Sequence, residues 1–132
     1  MGKEVIFLDI ELEEELFKIE PKWFNKENPM ESLMCFGFEC GNGWFNLVRF
    51  LLETAKQCEI REKSDWSGFQ VVQVKEKYGQ LCFYHYGGTE KYFEIVSTMQ
   101  MYSSFVCENC GNPGNSNDRG WIKTLCNSCR SK

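Results

Sequence analysis

Residues 107–129 read CENCGNPGNSNDRGWIKTLCNSC, and this stretch determines how that part of the chain folds. It holds two Cys-x-x-Cys pairs, Cys107 with Cys110 and Cys126 with Cys129, with 15 residues between the pairs. This spacing is typical of sites in which four thiolates bind one zinc ion. Four protein ligands fill a tetrahedron and leave no position for water or substrate. The sequence therefore predicts one structural Zn²⁺.

The residues around the cysteines fit that prediction. Gly111 directly follows Cys110 and tolerates the positive φ that a tight turn requires. The residues between the pairs are rich in the turn formers Gly, Asn, Asp and Pro, and residues 121–125 are predicted to return to the ion as a strand. The alternative, a pair of redox-active dithiols, is disfavoured because a thioredoxin-like motif uses one pair in a βαβ setting. We expect a zinc-binding module at 107–132, packed on an α+β domain at 1–106.

The other four cysteines are not expected to bind metal. Only Cys35 and Cys40 are close in sequence, and their spacing fits no ligand pattern. Cys58 falls on the apolar face of a predicted helix, and Cys82 falls in a predicted strand. Free cysteine is among the most buried residue types, so packing is the simpler role for these cysteines, and the sequence leaves any further role open.

Three amphipathic helices are predicted upstream of the module. They cover residues 9–19, 44–60 and 89–105. In the second helix Trp44, Leu47 and Leu51 share one apolar face. Asn42 or Gly43 is expected near its cap, and Thr89 is expected to cap the third helix.

A β-hairpin is predicted between the second and third helices. Residues 69–75 and 80–86 have strand character, and Gly79 can close a short turn between them. Residues 25–43 are predicted to form an ordered loop in which Met34, Phe36 and Phe38 pack inward. The expected fold class is therefore α+β: three helices and an antiparallel β-hairpin with a C-terminal four-cysteine zinc ribbon or knuckle.

Composition and charge narrow the classes of function. The chain has 132 residues, of which 42% are hydrophobic, enough for a packed core. Residues 1–65 carry a net charge of −6 and residues 66–132 a net charge of +2. The acidic half repels phosphate backbones, so nucleic acid is a disfavoured partner. No apolar run approaches the ~20 residues that span a bilayer, and no secretory signal is apparent. We expect a cytoplasmic protein without a membrane partner.

Three motifs carry a family resemblance. They are VKEKYGQLCFY at residues 74–84, FECGNGW at 38–44, and the cysteine module with its Cys-x-x-Cys-Gly-x-Pro-Gly and Gly-Trp-x-x-x-Leu-Cys sequences. Together they resemble small uncharacterised proteins of tailed phages and prophages. That group often has Asp where this chain has Asn42, and His where it has Cys129. The resemblance implies a phage or mobile-element setting, in a bacterial host, and implies no particular activity.

No catalytic constellation is evident, so the chain is not expected to be an enzyme. Its single histidine, His85, is predicted to share a strand face with Leu81 and Phe83, where packing is the simpler role. Phosphate-binding loops, nucleophile elbows and His-Glu-x-x-His motifs are lacking in the sequence.

The favoured hypothesis is a non-enzymatic binding protein that contacts a protein partner, for example to inhibit a host protein. The leading candidate surface is the acidic run with Glu11, Glu14 and Glu15, and the next is the hairpin turn with Lys75, Lys77 and Tyr78. Simple solvation of charged residues is the more ordinary explanation of both sets. The alternatives are a nucleic-acid-binding zinc ribbon and a binder of a nucleotide signal in an aromatic pocket near Tyr84, Tyr86 and Trp66.

Overall fold

The structure, a computed structural model, describes residues 5–132. Its helices are α1 (Ile10–Ile19), α2 (Phe45–Arg61), α3 (Glu90–Tyr102) and the single-turn α4 (Asn127–Arg130). Its strands are β1 (Phe38–Glu39), β2 (Gln70–Lys77), β3 (Gln80–Tyr86), β4 (Asn115–Ser116) and β5 (Thr124–Leu125). The predicted α+β class is confirmed. The three longer helices and the hairpin follow the predicted order, and α4 is an additional short helix at the second cysteine pair.

The main sheet has the order β1-β2-β3, with β1 parallel to β2 and β2 antiparallel to β3. Phe38, Val74 and Phe83 lie side by side across the three strands and are all buried. Strand β1 was not predicted, because two residues are too few to show the alternation that identifies a strand. Part of the predicted loop at 25–43 is therefore an edge of the sheet.

The packing expected within residues 25–43 is correct for Met34 and Phe38 and wrong for Phe36. Met34 and Phe38 are fully buried, whereas Phe36 is 56% exposed. The prediction placed alternate residues on one face, which holds only for extended chain. Residues Met34–Phe36 instead form a turn of 3₁₀ helix, which rotates Phe36 away from the core.

The core lies between the sheet and the helices. Helix α2 packs against both α1 and α3, and α3 packs against β3. Four residues of α2 are fully buried: Val48, Leu51, Leu52 and Ala55. The Val and Leu side chains contribute about 1.5–3 kcal/mol each, so the apolar face of α2 is a main source of stability. The hydroxyl of the buried Tyr92 in α3 donates to the carbonyl of Leu51 at 2.8 Å, which fixes α3 against α2.

One glutamate of the acidic run on α1 has a structural role. Glu13 Oε2 accepts a hydrogen bond from the backbone N–H of Phe38 at 3.0 Å, so it ties α1 to β1. Glu11, Glu14 and Glu15 are exposed. The acidic face available to a partner is therefore formed by three glutamates rather than four.

Candidate metal centre

Four cysteine sulfurs cluster at one point of the structure. The Sγ atoms of Cys107, Cys110, Cys126 and Cys129 all lie within 4.8 Å of one another. The Sγ atoms of Cys110 and Cys126 are 3.7 Å apart. A tetrahedral zinc site with Zn–S bonds of about 2.3 Å has S–S edges of roughly 3.8 Å. The cluster thus has the dimensions of a metal site with four thiolate ligands, formed by the residues that the spacing predicted.

Local turns position each pair. In the first, the Gly111 N–H donates to the carbonyl of Cys107 at 2.9 Å, and Gly111 has a φ of 83°. In the second, Cys126 caps α4, and its Sγ accepts from the N–H of Cys129 at 3.4 Å. Strands β4 and β5 pair antiparallel and bring the two turns together. The returning strand is shorter than predicted, because only Thr124–Leu125 pairs.

Hydrogen bonds to sulfur favour the thiolate form of two ligands. Burial alone would raise the pKa of the Cys107 thiol, but backbone N–H groups of the cluster outweigh it and lower that pKa to about 6. The N–H of Cys129 lowers the pKa of Cys126. In addition, the Asn109 amide donates to Cys129 Sγ at 3.3 Å. Such donors orient and stabilise metal-bound thiolates.

The pKa of the Cys110 thiol indicates that the cluster requires a cation. The backbone N–H of Asn112 lowers the pKa of Cys110, but burial and the neighbouring thiols raise it to about 11. Four adjacent thiolates are mutually repulsive unless a cation lies between them. The donor set therefore fits one soft, thiophilic ion such as Zn²⁺ or Cu⁺.

The motif at residues 41–44 anchors the cysteine module to the core. The N–H of Gly43 donates to the carbonyl of Glu108 at 2.7 Å, and the indole N–H of Trp44 donates to the carbonyl of Val106 at 2.8 Å. A side chain at Gly43 would overlap the carbonyl oxygen of Cys107, so only glycine allows this approach. The motif at residues 41–44 thus provides docking contacts for the cysteine module.

Glu108 joins the same interface. Only 1% of it is exposed, and its carboxylate accepts from the N–H of Gly41 at 2.9 Å and pairs with Lys123 Nζ at 2.7 Å. A buried carboxylate is stable only when paired and hydrogen-bonded, as here. Sequence analysis missed this residue, because its position between two cysteine ligands gave no separate signal.

The hairpin turn contacts the module from the other side. Thr124 is buried, and its hydroxyl donates to the carbonyl of Gly79. A side chain at Gly79 would lie in close contact with Thr124, Ile122 and Ser116. The second motif, at residues 74–84, therefore also includes a docking contact with the cysteine module.

Asn42 has a different contact from the predicted helix cap. Its Oδ1 accepts from the backbone N–H of Asp9 at 3.0 Å, at the start of α1. Residue 44 is the N-cap of α2 and makes no side-chain cap. An aspartate at position 42 would offer the same oxygen acceptor.

The remaining cysteines are dispersed. Cys40 is buried, and burial raises the pKa of its thiol well above the ordinary range, so it is inert at neutral pH. Cys35 is exposed, and Cys58 and Cys82 are partly buried. Within residues 5–132 they belong to no second cluster of potential metal ligands.

The two predicted partner surfaces lie on different elements. Glu11, Glu14 and Glu15 are on α1, whereas Lys75, Lys77 and Tyr78 surround the β2–β3 turn. Tyr78 is 74% exposed with a φ of 53°, and it lines two grooves of about 290 Å³ each. One groove includes Lys75 and Lys77, and the other includes Trp121 and Ile122. We call these five residues (Lys75, Lys77, Tyr78, Trp121, Ile122) the hairpin-turn surface.

His85 is buried as predicted, on the same face as Leu81 and Phe83. Its Nδ1 is 3.1 Å from the carbonyl oxygen of Gly87, and its ring packs among aromatic rings, with Phe93 closest at 4.2 Å between centroids. In the described part of the chain no carboxylate hydrogen-bonds to its ring.

In comparisons with known proteins, no family model, curated protein or solved structure matches the chain. Among the helices of residues 5–132, none is long and apolar enough to cross a membrane.

Proposed function

We propose that this chain is a non-enzymatic protein-binding protein, stabilised by one structural zinc ion, that contacts its partner through the hairpin-turn surface. Zinc is favoured because the sequence spacing is that of four-cysteine zinc sites, the four sulfurs lie within 4.8 Å of one another, and the 3.7 Å between Cys110 and Cys126 matches a tetrahedral edge. The phage or prophage setting, in the cytoplasm of a bacterial host, rests on the resemblance of the three motifs.

The proposal rests on the left-handed backbone conformation of Tyr78, with a φ of 53°. A left-handed conformation disfavours any residue with a bulky side chain, and Gly, Asn or Asp is usual at this turn position. Strained residues of this kind cost about 1–3 kcal/mol and cluster at functional sites. Tyr78 is largely exposed, so burial of its ring does not offset this cost. Contact with a partner would give the exposed ring a role.

The residues around Tyr78 suit binding to a protein partner. Trp121, 44% exposed, lies on the neighbouring groove, and exposed aromatic residues are enriched at protein interfaces. The other groove is lined by three lysines and three glutamates (Lys75, Lys77, Lys123, Glu39, Glu76 and Glu108). This balanced charge gives no positive field for a phosphate backbone, so the nucleic-acid alternative is less favoured.

The non-enzymatic assignment is supported by the candidate catalytic groups. A cluster of four thiolates has no open coordination position for a substrate. His85 lies among aromatic rings, without the carboxylate that would orient it as a general base.

The test is affinity capture from a bacterial lysate with the zinc-loaded chain, quantified by mass spectrometry. Tyr78→Asn removes the ring while suiting the left-handed backbone. We expect it to reduce capture of the specific partner at least about tenfold, as for an interface hot spot. Met30→Ala is the matched control, because Met30 is 91% exposed on another segment, and capture should be unchanged.

The acidic surface is tested in parallel with the triple variant Glu11→Lys, Glu14→Lys, Glu15→Lys. If α1 is the interface, this variant loses the partner and Tyr78→Asn retains it. That result would overturn the assignment to the hairpin-turn surface. Capture unaffected by either variant would reject both surfaces.

A further inference from the structure

A further groove, of about 600 Å³, lies between strand β3 and helix α3, away from the cysteine cluster and the hairpin turn. Its walls include Phe83, His85, Phe93 and Val96, and Tyr84 and Tyr86 line its rim. Phe93 is half exposed and stacks on the His85 ring, with 31° between the planes. The groove is therefore mainly aromatic, and one of its rings is a titratable, hydrogen-bonding group.

The second nitrogen of that ring lacks a partner. The carbonyl of Gly87 can only accept a hydrogen bond, so Nδ1 of His85 carries the proton. In the neutral ring Nε2 is then a bare acceptor. His85 is only 8% exposed, and its Nε2 has no hydrogen-bond partner among residues 5–132. A buried polar atom without a partner is unusual in a folded protein and calls for an explanation.

Two polar residues of α3 line the same groove. Gln100 Oε1 accepts from the backbone N–H of Phe83 at 2.8 Å, which fixes the Gln100 amide on the groove wall with its NH₂ group as a donor. Ser97 adds an exposed hydroxyl on α3. The site thus offers one buried acceptor, one fixed donor and aromatic walls, the usual composition of a small-molecule site.

The charge of the groove defines what it can hold. None of the ten residues that line it is Lys, Arg, Asp or Glu. The predicted nucleotide-signal pocket near Tyr84, Tyr86 and Trp66 is therefore not formed as expected. Trp66 is buried elsewhere, on a different groove that is also lined by Lys22 and Lys63, whereas the residues that line the β3–α3 groove include no Lys or Arg to bind a phosphate. A neutral ligand matches this lining.

We propose that the β3–α3 groove binds a small, neutral aromatic molecule that carries a hydrogen-bond donor, such as a phenol. Its O–H donates to His85 Nε2, and its ring packs against Phe93 and Val96. Phe93 covers the His85 ring and is half exposed, so its ring moves aside as the ligand enters. This site is independent of the hairpin-turn surface and of the proposed protein partner.

The test uses the full zinc-loaded chain with p-cresol and toluene as probes, followed by ¹⁵N–¹H NMR titration. The two probes differ only by the hydroxyl. We expect p-cresol to shift the amides of residues 83–86 and 93–100 and to bind roughly 3–10-fold more tightly than toluene, the usual value of one added hydrogen bond. The ¹⁵N resonance of His85 Nε2 should shift with p-cresol and not with toluene.

Two variants separate the acceptor from the groove. His85→Phe keeps a packed ring and removes the acceptor, so p-cresol and toluene should bind equally. Ser97→Phe fills the groove from an exposed position, so neither probe should bind while the fold and the metal content are unchanged. Three results would overturn the proposal: equal affinity of the two probes for the original chain, an advantage of p-cresol that persists in His85→Phe, or no groove shifts at millimolar p-cresol.

Discussion

The indole N–H of Trp44 and the carbonyl oxygen of Val106 form a hydrogen bond of 2.8 Å across 62 positions of sequence. Trp44 is fully buried and immediately precedes α2, and Val106 immediately precedes the first cysteine of the cluster. The cysteine module and the hydrophobic core therefore share a buried polar contact. Their stabilities should be coupled.

Trp44→Phe should reveal that coupling. The variant leaves the Val106 carbonyl without its donor and removes part of a buried ring, which together cost roughly 2–4 kcal/mol. Urea unfolding of the zinc-loaded protein measures the loss. Trp121→Phe, at an indole that is 44% exposed, should change the free energy of unfolding far less. Equal losses for the two variants would contradict the coupling.

Metal content tests the cysteine cluster directly. Replacing Cys107, Cys110, Cys126 or Cys129 with Ser should abolish binding of one zinc ion per chain and disorder residues 107–132. Zinc binding in small sites contributes ~10–16 kcal/mol, comparable to the ~5–15 kcal/mol stability of a domain. Cys35→Ser should leave the zinc content unchanged, since Cys35 is exposed outside the cluster. Elemental analysis that finds two zinc ions per chain, or none, would refute the assignment.

Comparison of Gly43→Ala with Gly68→Ala should separate the effect of a close contact with Cys107 from the effect of a strained backbone. The added methyl group would overlap the carbonyl oxygen of Cys107, and overpacking of this kind costs about 1–3 kcal/mol or more. The control is Gly68→Ala, where φ is 81° but no atom lies within 4 Å of the added group. We expect Gly68→Ala to lose only the ~1–2 kcal/mol of a left-handed alanine and to keep its zinc affinity. Gly43→Ala should also bind zinc more weakly in a competition assay with a chelator.

The pH dependence of stability should report on His85. Burial lowers the pKa of His85, and the hydrogen bond to Gly87 offsets this only in part. Below about pH 6.5 the unfolded chain therefore binds more protons than the folded chain, so stability is full above that pH and falls as the pH decreases. Urea midpoints in excess zinc at about pH 7.5 and about pH 5.5 measure the loss. His85→Phe should lose less over the same interval, and parallel losses would show that His85 does not contribute.

Nucleic acid should bind weakly. The module at 107–132 has four basic residues and two acidic ones, and Zn²⁺ with four thiolates carries a formal charge of about −2. Little positive charge is then left to release counterions. Titration of DNA and RNA at ~150 mM salt should give dissociation constants no tighter than the ~10⁻⁶ M limit of nonspecific binding. Sub-micromolar affinity would instead support the zinc-ribbon alternative.

The parts predicted correctly from sequence are those with local signals. The Cys-x-x-Cys pairs, the turn at Gly79 and the cap at Thr89, which accepts from the Tyr92 N–H at 3.3 Å, each depend on neighbours in the chain. The missed features depend on contacts across the fold. Strand β1 exists because Phe38 pairs beside Val74, and it is too short to be seen alone.

Site residues show the same division. The four cysteines follow from spacing, whereas the ion pair of the buried Glu108 with the partly exposed Lys123 does not, because charged residues in a turn-rich segment normally face water. Likewise, Gly41 and Gly43 were predicted only as loop and cap residues. Their close approach to Glu108 is visible only when both segments are folded.

The order of these contacts along the chain matters for protein synthesis. A ribosome makes Gly41, Gly43 and Trp44 more than sixty residues before Val106 and Glu108, the groups to which they hydrogen-bond. During that interval the indole N–H of Trp44 and the backbone N–H groups of Gly41 and Gly43 lack the acceptors to which they later donate. The metal ligands themselves span only residues 107–129, so they can gather around an ion as soon as they emerge. Metal capture can therefore occur as a local event, before the contacts with residues 41–44 close.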